Sequence, residues 1–349
     1  MNLGIAVSNQ IVSIPVKNPN KKNKIFKRTD NGDEGNGRID VNMIRGDNGY
    51  YVELGVGNPQ QNLRFQIDTE SYIQLIVSDK CDSCFINPEN RKKFNGIDTK
   101  SFLLDKQANF VKFGISFGGY LPTEPLYLRK DISENVEFMA LSITSEDIES
   151  FIGYDGVIGI GYPKTDTFHQ NLGYGNSFID NCLRRDKIIS INLKPGVEKI
   201  SFGYQNKERT TLDTVWVNQI ERNSFKFSTQ KVKIGLTEFQ NIKKAIVNPI
   251  YQKTYLQRDQ ISIINSFIAN SRNCMNINAL PAITFTIGDG MLTLEPKDYI
   301  TFNNGVCESN IEEIDSDKFD SDIYILGQNF FQKYVVTFDY GNSKIGFTN

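Results

Sequence analysis

One histidine, His169, in 349 residues removes most hydrolytic and metal chemistries at once. A Ser–His or Cys–His nucleophile pair would have to depend on that single imidazole, and a zinc site would lack nitrogen ligands. His169 sits in a polar stretch, Thr167 to Asn171, with no partner beside it, and reads as a surface histidine. No run of 18 apolar residues exists, so no membrane span is expected. Neither sign of charge dominates: the net charge is −2 and no extended basic face is evident, which argues against a nucleic-acid partner. There is no Asn-x-Ser/Thr sequon, and the apolar run at Met1 to Val7 is too short for a complete signal peptide, so a truncated leader is expected.

What is present fits a folded, sheet-rich protein of two lobes: 39% hydrophobic residues, 27 glycines and 24 phenylalanines. Five cysteines fit two disulfides and one free thiol. Cys81 and Cys84 form a C-x-x-C; redox and metal roles are conceivable, but no thioredoxin-like context or second thiolate pair accompanies them, and a small loop-closing disulfide is the better reading. Cys182 falls in a helical pattern with Phe178, Ile179 and Leu183 and reads as a buried apolar filler. Two disulfides imply an oxidising compartment, either secreted or an endomembrane or vacuolar lumen.

Residues 1–48 carry eight Lys or Arg against five Asp or Glu and read as a solvated basic arm. Alternation begins at Tyr50, Val52, Leu54 and Val56, and a turn follows at Gly57-Asn58-Pro59. Leu63, Phe65 and Ile67 then lead a half-buried strand into Asp68, with a second apolar run from Ile73 to Val77. A carboxylate between two buried runs is costly unless something uses or pairs it. Residues 109–128 read as a hairpin: Val111 and Phe113 lead in, Gly118-Gly119 turn, Leu126 and Leu128 lead out. A helix over Asn176 to Arg185 and strands over Ile188 to Leu193 and Lys199 to Gly203 follow, then a strand around Trp216.

The second half repeats the plan. Phe225 to Ile234 alternates like a strand, Lys244 to Val247 runs into position 248, and a helix carries Ile261, Ile264 and Ile268. Leu280 to Phe285, Val335 to Asp339 and Lys344 to Phe347 supply further strands. An apolar-apolar-Gly element occurs in each half, at Val157-Ile158-Gly159 and Ile325-Leu326-Gly327, where a strand can pass tightly beneath a loop. Two copies of one plan predict a bilobal all-β protein with a cleft between the lobes.

Asp68-Thr69-Glu70-Ser71, the Tyr50 to Asn62 hairpin and Tyr154-Asp155-Gly156-Val157-Ile158-Gly159 together resemble the pepsin-like aspartic protease family over about residues 49–349. The resemblance implies two pseudo-symmetric β-barrel-like lobes with a few short helices, the first over 49–205 and the second over 206–349. It identifies Asp68 as the first catalytic carboxylate, and Thr69, Ser71, Phe113 and Gly114 as substrate-binding residues. Phe113 falls at the family's flap tyrosine, although Tyr120 competes for that place, and phenylalanine cannot donate the tyrosine's hydrogen bond. The resemblance also implies a second disulfide, Cys274 to Cys307, and likens Ile14-Pro15-Val16-Lys17 to the start of a zymogen propeptide.

The departures concern the chemistry. The family reads Asp-Thr-Gly-Ser where this chain has Glu70, and its second motif reads Ala-Ile-Val-Asp-Thr-Gly where this chain reads Ala245-Ile246-Val247-Asn248-Pro249-Ile250. The second catalytic position is thus Asn248, an amide that cannot cycle a proton. Pro249 lacks the amide hydrogen and hydroxyl with which a threonine anchors its loop. Gln328 stands where the family usually has Asp, at a position that varies with specificity. The expectation is a degenerate homologue that needs no metal or cofactor, a monomer holding an extended peptide or protein segment in its cleft. The alternatives are an active aspartic endopeptidase with an atypical second acid, for which Glu70 is the candidate, and an interaction protein using its outer surface.

Overall fold

In a computed structural model of the chain, residues 39–84, 91–96, 99, 107–112, 115–130, 132–145, 148, 152–162, 178–179, 187–203, 214–221, 224–240, 243–270, 277–303 and 306–349 are described. His169, Phe113, Gly114, Cys182, Cys274 and the basic arm through residue 38 lie outside them. Strands dominate, as the alternation requires, and among the described residues they form five sheets.

A nine-stranded sheet is built from residues 44–159. Its path runs from Ile44–Gly46 through Gly49–Val56, Gln61–Asp68, Gly156–Gly159, Gln74–Val77, Ile132–Thr144 and Ile115–Tyr120 to Gln107–Lys112, and Thr123–Arg129 pairs off that path. Its counterpart is a five-stranded sheet ordered Phe227–Thr229, Lys243–Val247, Ile323–Leu326, Thr254–Leu256, Ile311–Glu313. A four-stranded sheet joins Thr237–Phe239, Lys231–Ile234, Ile283–Ile287 and Gly290–Leu294, and a two-stranded one joins Ile300–Asn303 to Val306–Ser309. The six-stranded sheet draws on both halves. Ile39–Asn42, Lys199–Phe202 and Ile188–Asn192 continue into Val335–Asp339, Lys344–Thr348 and Val215–Asn218, with Ile191 opposite Val336. Backbone bonds therefore cross between the halves in an antiparallel ladder.

The repeat expected from the two apolar-apolar-Gly elements is present in the register. Gly156–Gly159 runs parallel to Gln61–Asp68, with Ile158 opposite Ile67 and Gly159 opposite Asp68. Ile323–Leu326 runs parallel to Lys243–Val247, with Ile325 opposite Ile246 and Leu326 opposite Val247. The strand ending at Asp68 buries Leu63, Phe65 and Ile67, and the strand before Asn248 buries Ala245, Ile246 and Val247. Each of these side chains other than Ala245 contributes about 1.5–3 kcal/mol on burial, so the two strand ends are held by the core beneath them.

Three expectations need correction. Gly118-Gly119 is not a turn. Both residues lie within the Ile115–Tyr120 strand, opposite Asn109 and Ala108, and Lys112 pairs with Ile115 across residues 113–114. The register slips at Gly118/Gly119 where this strand meets Ile132–Thr144, and a Cβ on Gly119 would stand 2.2 Å from the Ala140 carbonyl oxygen. Those glycines serve close approach at a bulge rather than a reversal. Phe225 to Ile234 is not one strand: Phe227–Thr229 and Lys231–Ile234 belong to different sheets and break at Gln230. Regular pairing also begins before Tyr50, with Ile39–Asn42 against Lys199–Phe202 and Ile44–Gly46 against Gly49–Val56.

Candidate active site

The Gln61–Asp68 strand and the Lys243–Val247 strand each end in a loop, and the loops meet. Each crosses over the glycine of its own half. A Cβ on Gly159 would stand 2.5 Å from the Ser71 carbonyl oxygen and 2.6 Å from that of Ile73, and one on Gly327 would stand 2.0 Å from the Lys253 oxygen and 2.7 Å from the Tyr251 oxygen. Only glycine leaves room for these crossings.

At the meeting point the Asn248 side chain, fully buried, donates from Nδ2 to Asp68 Oδ1 at 2.8 Å. The same carboxylate oxygen accepts the backbone N–H of Glu70 at 2.9 Å and of Ser71 at 3.3 Å, and Asp68 is only 3% exposed. Asn248 Oδ1 accepts the N–H of Thr69 at 3.3 Å and of Ile250 at 3.2 Å. The amide orientation follows from this network, because a flipped amide would set oxygen against oxygen at Asp68 and NH2 against two N–H donors. The Thr69 hydroxyl donates to the Val247 carbonyl at 2.7 Å, so both donors of Thr69 join the halves. Ser71 is half-buried, and its Oγ accepts the Ile73 N–H at 3.1 Å.

No reciprocal bond runs from position 249, where proline offers neither an N–H nor a hydroxyl. Instead the Pro249 carbonyl accepts from Gln328 Nε2 at 2.8 Å, while the Gln328 backbone N–H donates to Tyr251 O at 2.9 Å. Nothing in the sequence pointed to this pairing except the presence of glutamine after Ile-Leu-Gly.

The next two residues face apart. Ile250 packs, with Ile73, against an apolar cluster of the first half that includes Leu75, Phe117 and Val157. Tyr251 packs on Ile246, Ile314, Ile323 and Ile325 of the second half, with ring neighbours Tyr255 at 6.0 Å and Phe319 at 5.7 Å. Burial, reinforced by the negative charges of Glu70 and Asp68 and by Tyr255, pushes the Tyr251 phenol far above its usual range. Its hydroxyl therefore keeps its proton throughout the accessible pH range. Sequence reasoning missed both contacts because they depend on which half each side chain leans towards.

The sequence-derived cysteine pairing is present at Cys81–Cys84, with Cα atoms 5.5 Å apart, and both cysteines are buried within the first-half cluster. Cys307 is disulfide-bonded, while Cys274 lies outside the described residues, as do Phe113 and Gly114. Among the described residues no group of three or more His, Cys, Asp or Glu side chains is arranged to hold a metal ion, and no helix is long and apolar enough to cross a membrane.

Comparison with known proteins agrees with this architecture. Pepsin A of Bos taurus is 26% identical over 317 residues, covering 86% of this chain and 84% of that protein. Pepsin II-1 of Oryctolagus cuniculus is 24% identical over 314 residues, covering 85% and 80%, and human gastricsin is 23% identical over 326 residues, covering 86% and 81%. The family model described as eukaryotic aspartyl protease matches residues 49–349, six-sevenths of the sequence and both strand-loop repeats, and the chain belongs to that family.

Proposed function

We propose that this chain is a non-cleaving member of its family that holds an extended peptide or protein segment between its two halves. The observation that carries the reading is the 2.8 Å bond from Asn248 Nδ2 to Asp68 Oδ1. Two carboxylates in this arrangement share one proton: the ionised partner takes a proton from the attacking water while the protonated one polarises the scissile carbonyl. In this chain the hydrogen between the two side chains is covalently fixed on an amide nitrogen. It cannot be handed to a leaving group and recovered, so the cycle has no second acid. Asp68 remains as an acceptor, and the intact crossing of the two loops preserves the scaffold on which a segment would lie.

Glu70 is the candidate substitute acid, but what it gives Asp68 is its backbone N–H, from two residues along the same loop. The place in direct contact with Asp68, from which a second acid would share its proton, is held by Asn248 and not by Glu70. The Cys81–Cys84 disulfide supports placement in an oxidising, secreted or lumenal compartment. We take the protein as a monomer.

The test uses a reduced, alkylated protein as an unfolded probe, incubated with the full chain between pH 3 and 7. Retention of the probe on immobilised protein without new fragments is expected. Failure to retain it would remove the cleft-binding reading, in favour of an outer interaction surface, and fragments that disappear with Asp68→Ala would show a working endopeptidase.

A further inference from the structure

Asn248 and Gln328 are both primary amides where the family resemblance places carboxylates, and both use the group that a carboxylate lacks. Each donates an N–H: Asn248 to Asp68 Oδ1 and Gln328 to the Pro249 carbonyl, both at 2.8 Å and both in buried surroundings. An ionised carboxylate can only accept, so it would face another oxygen in either place. The fold makes specific room for the second amide. Gly49 has a φ of +93°, and a Cβ there would stand 2.3 Å from Gln328 Nε2.

We propose that Asn248 and Gln328 form a non-titrating latch, positioning residues that hold the 248–251 loop against Asp68 across the pH range in which a carboxylate at either position would gain and lose a proton. Asp68 is bonded directly to Asn248, and the charges of Glu70 and Asp68 act on Tyr251 in the same loop. Tyr251 stays neutral, because burial holds its phenol far above its usual range. Asp68 is served by three N–H donors, none of which depends on pH. The latch replaces what Pro249 cannot supply: one amide ties the loop forward to Asp68 and the other ties its carbonyl back to the chain after Gly327. It holds whether or not the site cleaves, so unfolding and cleavage report on separate claims.

Thermal unfolding of the full chain from pH 4 to 8, each variant compared with the parent at the same pH, tests this. Asn248→Asp puts two carboxyl groups in one short contact. Near pH 4 they share a proton in place of the amide hydrogen. As pH rises that shared proton is held in the folded state above its unfolded pKa, so the folded state binds more protons and stability falls. The Tm deficit of Asn248→Asp is expected to widen by at least about 3 °C between pH 4 and 8. Gln328→Glu keeps the packing and is expected to change in the same direction by less, because protonated Glu can still donate to Pro249. Asn248→Ala, which removes the donor without adding a second carboxyl group, is expected to lower Tm at every pH, with a deficit that widens by less than that of Asn248→Asp. Deficits independent of pH for both acidic variants would overturn the latch. If Asn248→Asp does not fold, Gln328→Glu alone decides: a widening deficit supports the latch and a constant one rejects it.

Discussion

The loops Asp68-Thr69-Glu70-Ser71 and Asn248-Pro249-Ile250-Tyr251 leave equivalent strands and cross equivalent glycines, yet their side chains are used differently. The first spends its polar groups inward: Asp68 accepts two N–H bonds from its own loop, and Thr69 reaches Val247. The second has no hydroxyl or N–H at 249 to return that bond, and it is held by two side-chain amides and by apolar packing of Ile250 and Tyr251. Backbone crossings of this kind are fixed by steric fit, so they survive when the chemistry around them changes. A catalytic pair has no such tolerance, since one nitrogen in place of one oxygen removes the titratable proton while leaving the hydrogen-bond geometry almost unchanged.

The largest expected effects attack what the loops share. Gly159→Ala and Gly327→Ala each force a methyl group against backbone oxygens, and each should cost about 3 kcal/mol or prevent folding. Denaturant unfolding would read this, and similar losses at both sites would support equivalent crossings. Asn248→Ala strips Asp68 of a donor and leaves two loop N–H groups without their acceptor, an expected loss of about 2–3 kcal/mol. Thr69→Val removes the hydroxyl bond to Val247 and leaves a buried carbonyl, for about 1–2 kcal/mol by the same measurement. The smallest is Gln328→Leu, about 1 kcal/mol, because the Pro249 carbonyl loses a neutral donor. If Gln328→Leu cost more than Thr69→Val, the second loop would depend on its amide more heavily than the first depends on its threonine, and the comparison would need redrawing.

Restoration sharpens the contrast from the other side. Asn248→Asp alone should give little peptide cleavage at acid pH, because Pro249 and Ile250 still shape the loop. Adding Pro249→Thr and Ile250→Gly returns the reciprocal anchor and clears the apolar side chain, and any recovered turnover should appear only in the triple variant.

Much of this fold was legible because its signals are local and periodic. The alternation Leu63, Phe65, Ile67 and the flank Ala245-Ile246-Val247 gave both strand ends, and Gly159 and Gly327 gave the crossings. The same flank set the register that puts Asn248 opposite Asp68. What escaped was long-range or depended on lean. Gln328 reaches Pro249 through a side chain, and its glutamine read only as variation. Ile250 packs on the other half, which no pattern around residue 250 encodes. Gly118-Gly119 carried a turn signal, yet the need there was for close approach at a bulge, a requirement set by the Ile132–Thr144 strand alongside.

The central claim is that the hydrogen between the two halves belongs to an amide and cannot be exchanged through a catalytic cycle. Its most direct test compares peptide products from the parent chain and from Asp68→Ala after prolonged incubation between pH 2 and 7, read by mass spectrometry. The account predicts identical product profiles at background level. Sequence-selective fragments that form with the parent and vanish with Asp68→Ala would contradict it.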